Sequence, residues 1–141
     1  MQQFADKTFI QYSPAVSDGQ HGNVLRQKAN VGGFKRDLAT AKGVICNTGF
    51  ELISECLQWS KPVLTRPLAK QMEQLSNAAA LEQLGYATTM QALETQKARA
   101  WLDEMPPAPK IQFRNVAAAL ATWLARGAKE PVEQLSKELW A

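Results

Sequence analysis

The chain is short of the residues on which metal and redox chemistry are built. Its 141 residues include a single histidine and two cysteines. No Cys/His group has metal-ligand spacing, which argues against a structural zinc site. Cys46 and Cys56 stand among apolar neighbours and read as buried thiols of a reducing compartment. No apolar run approaches the ~18 residues needed to cross a bilayer. The amino-terminal MQQFADK lacks the basic-then-apolar order of an export signal. The expectation is therefore a cytoplasmic chain with no transmembrane segment. Charge excess is slight as well, at a net +3. The basic residues Lys7, Arg26, Lys35, Arg36, Lys42 and Lys70 are scattered and not interleaved with aromatics, so no nucleic-acid partner is expected. Internal repeats and low-complexity tracts are missing too.

What is present is the balance of a soluble globular protein, with 45% apolar and 21% charged residues. A chain of this length buries a real core without disulfides. Strand and helix signals alternate along it. TFIQYSP (8–14) is β-branched and aromatic and stops at Pro14, as a strand does. SDGQHGN (17–23) reads as a loop, and NVLRQKANV as holding a short second strand. FKRDLATAK (34–42) has helical spacing, and GVICN (43–47) is a short apolar run suited to a buried parallel strand. A helix over 49–60, with Phe50, Ile53 and Leu57 on one side, is followed by the strand PVLTRP (62–67). A helix over 70–85, the β segment YATTM (86–90) and a helix over 91–105 come next, then the stiff break PPAPK (106–110). NVAAALATWLARG and EPVEQLSKELW supply two last helices. The alternation predicts an α/β fold: a Rossmann-like open parallel sheet with helices on both faces. Ligands of such folds gather outside the carboxyl ends of the strands.

Residues 47–55, NTGFELISE, lie at one of those ends. Thr48 followed by Glu51 fits a capping box. Gly49 is expected to let the backbone turn tightly and a ligand approach closely. The free N–H groups of the helix start suit phosphate oxygens. Glu55, one turn further in, is not needed as a cap and can present a carboxylate to a vicinal diol, as acidic residues do to ribose. The next strand–helix junction carries RPLAKQMEQLSNA (66–78). There Glu73, Gln74 and Asn77 cluster at i, i+1, i+4, which is either a polar solvent face or a set of hydrogen-bonding groups for sugar hydroxyls.

Together these stretches, VICNTGFELISECLQWSKPVLTRPLAKQMEQLSNAAALEQLG over 44–85, resemble the donor-sugar half of a GT-B glycosyltransferase. The likeness is to the lipid-II-forming N-acetylglucosaminyltransferase group and related uncharacterised glycosyltransferases, and it covers roughly residues 33–90. It implies transfer from a nucleoside diphosphate sugar, usually uridine-linked, with no cofactor and no metal required. By the same resemblance Asn47, Thr48, Gly49 and Phe50 form the turn that meets the diphosphate, and Glu55 holds the ribose. Glu73 and Gln74 match the acid–Gln pair facing the donor sugar, and Asn77 the asparagine one turn later. Arg66 and Gln71 lie on the approach loop.

The chain departs from that family in what it lacks. GT-B enzymes carry the acceptor site and the usual catalytic base in an N-terminal domain, for which there is no room here, so no catalytic residue is assigned. Their donor half opens with a strand, a Gly-rich turn and a helix, whereas TFIQYSPAVSDGQHGN holds no convincing helix. His21, between glycines, is a loop residue or a phosphate contact. The expectation is a donor-binding domain at 1–105 with C-terminal helices at 106–141, lacking its acceptor domain or partner subunit. Split enzymes of that design occur in N-glycan assembly. Trp123, Leu124 and Trp140 pack either on this domain's own sheet or on a missing partner, with homodimerisation a further outcome. A non-catalytic interaction module and part of a nucleotide-sugar epimerase are the alternatives.

Overall fold

β-Branched and aromatic residues set the strands, while glycine, proline and asparagine end them. A computed structural model describes residues 1–140. Strands β1 (Phe9–Tyr12), β2 (Gly19–His21) and β3 (Val24–Gln27) come first, then helix α1 (Val31–Thr40). Strand β4 (Val44–Asn47), helix α2 (Phe50–Gln58), strand β5 (Val63–Arg66) and helix α3 (Met72–Gln83) follow. Strand β6 (Thr88–Thr89) and helices α4 (Thr95–Glu104), α5 (Val116–Ala125) and α6 (Val132–Trp140) complete the order. The fold is mixed α/β and Rossmann-like. β4, β5 and β6 form one sheet in that order, parallel throughout, with Val44 beside Val63 and Leu64 beside Thr88.

Three features differ from the sequence reading. The parallel strands fall into two three-stranded sheets, because β1 pairs with β3 and not with β4. The stretch expected as a loop contains β2, which runs antiparallel to β3. Gly22 makes that hairpin possible with a left-handed φ of 59°. Helix α1 also begins earlier than its apolar spacing suggests. The Asn30 side chain accepts the Gly33 N–H at 2.7 Å, and this cap outweighs the weak helix preference of Gly32 and Gly33. At the other end Lys61 Nζ donates to the carbonyls of Ala39 and Ala41 at 2.6 and 2.7 Å. That cation satisfies groups the helix leaves unpaired.

The core gathers Phe4, Leu64, Met90, Trp101 and Leu102, with Phe9, Ala98 and Met105 packed against it. Leu64, at the centre of β5, is fully buried, so the middle strand of the β4–β5–β6 sheet carries the densest packing. The described chain forms two units, Met1–Lys110 and a second starting at Ile111. PPAPK therefore belongs to the first unit and does not open the tail. In the second unit α5 and α6 pack on each other. Asn115 caps α5 through the Ala118 N–H at 2.9 Å, and the Trp123 indole donates to the Glu130 carbonyl at 2.8 Å. Leu124 and Trp140 remain 62% and 65% exposed.

Candidate functional site

The carboxyl ends of β4 and β5 each lead through a short turn into a helix, and these turns hold the residues singled out in the sequence. Thr48 does not cap α2. Its side chain is wholly buried, with its hydroxyl 2.9 Å from that of Thr65. Thr65 gives its one proton to the Cys46 carbonyl at 3.1 Å, so the Thr48 hydroxyl is the donor of the pair. Buried hydroxyls need such partners, and here the need pulls Thr48 inward. The cap position falls to Gly49, with φ −78° and ψ 135° and no side-chain hydrogen bond. Those angles are open to any residue, so the glycine is not required for a tight turn. Nor is it required by close packing, since a Cβ added at Gly49 would meet nothing within 4 Å and the space before the helix start is open. The expected capping box is absent, since Glu51 sits exposed in the first turn with no Thr48 side chain beside the helix N–H groups.

Phe50 also departs from the sequence reading. It is 65% exposed, while Ile53, Cys56 and Leu57 form the buried stripe of α2. As first residue of the helix it stands beyond the sheet edge, where the packing that covers later turns does not reach. Asn47 is exposed and Glu55 half-buried, in the second turn of α2 counted from the open cap.

The second turn is tied down by two amides. The Asn77 amide donates to the Thr48 carbonyl at 3.3 Å, bringing the second turn of α3 against the β4–α2 turn. The Gln74 carbonyl accepts the Leu68 N–H at 3.0 Å, and its amide donates to Gln71 at 2.7 Å. Gln74 thereby closes the 66–71 loop, in which Lys70 adopts a left-handed φ of 65°. Gln71 caps α3 without a side-chain hydrogen bond, and Glu73 is exposed in the first turn. Arg66, half-buried, ends β5. The salt bridges among the described residues join Asp6, Lys7, Arg99 and Asp103. Glu55, Glu73 and Arg66 take no part in them.

Thus the structure joins Thr48 to Asn77 and Gln71 to Gln74, and places the side chains of Asn47, Phe50, Glu55, Arg66 and Glu73, with the Gly49 backbone, around the two helix starts without links among them. Thr65 was not singled out from the sequence. The available signal is a hydroxyl inside the apolar strand VLTR, which must find a partner once buried. Burial disfavours the thiolate form of both cysteines. Burial pushes Cys46 up to about 11 and Cys56 up to about 12. His21 lies on β2, exposed and apart from both turns in the chain.

Two adjacent helix starts, neither capped by a side chain, offer N–H groups to an anion, and carboxylates in the first turn of α3 (Glu73) and the second turn of α2 (Glu55) offer acceptors to hydroxyls. No curated protein and no solved structure matches the chain. Residues 2–106 match the family model described as Glycosyl transferase family 1. Since that match runs through both strand–turn–helix units and covers well over half of the α/β chain, the chain belongs to glycosyl transferase family 1.

Proposed function

We propose that the chain is the donor-binding domain of a glycosyltransferase, that its donor is a uridine-linked nucleoside diphosphate sugar, and that acceptor site and catalytic base belong to another domain or subunit. The observation that carries this reading is the open start of α2: Gly49 at the cap, no side chain on its N–H groups and free space before it. Helix N–H groups at that position stabilise a diphosphate, both bound and as it departs. Glu55 accepts from the ribose hydroxyls, and Glu73 faces the sugar. Asn77 and Gln74 act through backbone, because Asn77 holds the Thr48 carbonyl and Gln74 holds Leu68. They set the turns against which the donor lies.

Thermal unfolding with uridine diphosphate and its sugars tests the assignment. A ligand at ~100 times its dissociation constant adds about 2.7 kcal/mol. For a domain of this size that is a shift of several degrees. The shift is expected in the wild type and absent in Glu55→Ala. A cooperatively unfolding protein that responds to no nucleotide would overturn the reading. Transfer by the chain alone would overturn the separation of donor and acceptor sites.

A further inference from the structure

The turn between β4 and α2 is held at one residue by two different elements. Thr48 and Thr65 are each wholly buried, and Thr65 lies beside Cys46 in the β4–β5 pairing. The Thr65 hydroxyl donates to the Cys46 carbonyl at 3.1 Å and accepts from the Thr48 hydroxyl at 2.9 Å. A hydroxyl has one proton to give, so the chain of bonds runs one way, from Thr48 through Thr65 to the strand. Thr48 is thereby tied to β5 through its side chain. Its carbonyl is tied separately, by the Asn77 amide of α3 at 3.3 Å.

That carbonyl belongs to the peptide plane between Thr48 and Gly49. In a trans peptide the C=O and N–H point in opposite directions. With the carbonyl turned to α3, the Gly49 N–H is turned away from it, and none of the backbone hydrogen bonds of the turns takes that N–H. Glycine makes the arrangement reversible. The φ of −78° and ψ of 135° at Gly49 suit any residue, but inverting the plane carries its φ to positive values, which glycine adopts freely. Crowding does not oppose the inversion, since no atom lies within 4 Å of where a Cβ would stand. An inverted plane sets a carbonyl oxygen where the N–H had been and repels an anion. The turn thus has two orientations of opposite polarity, and local sterics do not choose between them.

We propose that Thr65 and Asn77 are positioning residues, a two-point clamp on Thr48 that keeps the 48–49 peptide from inverting and so holds the Gly49 N–H for a phosphate oxygen of the donor. Both act through Thr48. Their part in binding rests on the donor reading above, whereas the clamp itself rests on the hydrogen bonds. Valine in place of Thr65 has nearly its shape and keeps neither bond, while serine keeps both.

The test follows the residue-49 amide of the ¹⁵N-labelled full chain by relaxation dispersion, which senses exchange on the μs–ms scale. The wild type and Thr65→Ser should show none, and Thr65→Val and Asn77→Ala should each show it. Adding Gly49→Ala to Thr65→Val should quench the exchange, because a Cβ penalises the inverted plane and meets nothing in the present one. Titration with uridine diphosphate should give a dissociation constant raised ~10-fold or more in Thr65→Val and Asn77→Ala, with that for uridine, which has no phosphate, unchanged. The clamp is overturned if neither variant shows exchange, or if exchange survives Gly49→Ala. Equal weakening toward uridine and uridine diphosphate would overturn the positioning role, since general loosening of the fold acts on both. A wild type that binds neither ligand would defeat the donor reading, and the dispersion measurements alone would then uphold or overturn the clamp.

Discussion

The sheet β4–β5–β6 and the sheet β1–β3–β2 have equal numbers of strands and are held by different forces. In the first, Val63, Leu64 and Thr65 are 2%, 0% and 0% exposed, and Leu64 joins the main apolar cluster. In the second, Val24 is the only buried strand residue. Its attachments are mostly polar. The Tyr12 hydroxyl donates to Asp37 at 2.6 Å, and the Asn23 amide reaches the carbonyls of Phe4 and Lys7 at 2.8 and 2.9 Å. Arg99 and Asp103 of α4 pair with Asp6 and Lys7, just before β1. The candidate site is built on the sheet held by apolar burial. Packing of that kind fixes the ends of β4 and β5 against changes of salt and acidity, which act on the polar links of the other sheet.

The largest expected effect comes from breaking the better-packed sheet at its centre. Leu64→Ala should cost about 2–5 kcal/mol in denaturant unfolding. The half-buried Leu25→Ala, on β3, should cost clearly less. Equal losses would remove the distinction between the sheets. Thr65→Val comes next. It strands the Thr48 hydroxyl without its acceptor and should cost about 1–3 kcal/mol. It should also reduce the uridine-ligand shift in melting temperature, because the turn at Asn47–Gly49 loses its anchor. An unchanged ligand shift would show that Thr65 serves the fold alone.

The smallest effect is expected at the exposed ion pairs beside β1. The Arg99 guanidinium holds Asp6 below the usual carboxylate range, and Lys7 together with Arg99 does the same for Asp103. A carboxylate with a lowered folded pKa adds stability above its unfolded value near 3.8. That stability is lost as pH falls through the lower folded value. The melting-temperature difference between wild type and Arg99→Ala should therefore be slight at pH 5 and shrink further toward pH 2 or in molar salt. A large, salt-independent difference would mean that Arg99 packs as well as pairs.

Most elements were legible because their signals are local. β1, β4 and β5 announce themselves through β-branched and apolar residues, and α2 and α3 through helical spacing closed by Pro62 and Gly85. The short antiparallel β2 was not legible, since GQH has no strand propensity and owes its state to pairing with β3. The candidate site divides the same way. Its location at two strand–helix junctions could be read, but the role of Thr48 could not. A threonine before a helix is a good cap by local rules, and only the buried partner Thr65, in the next strand, draws it into the core.

The sequence by itself determined the α/β alternation, the two junctions and the residue types gathered at them, because propensity, turn chemistry and helix periodicity act over a few residues. Only the tertiary structure decided that the strands form two sheets, that Thr48 faces inward and Phe50 outward, and that Asn77 reaches the Thr48 carbonyl. Those outcomes depend on which strand lies beside which and on what a buried polar group finds within hydrogen-bonding distance. Neither is written in any short stretch of the chain.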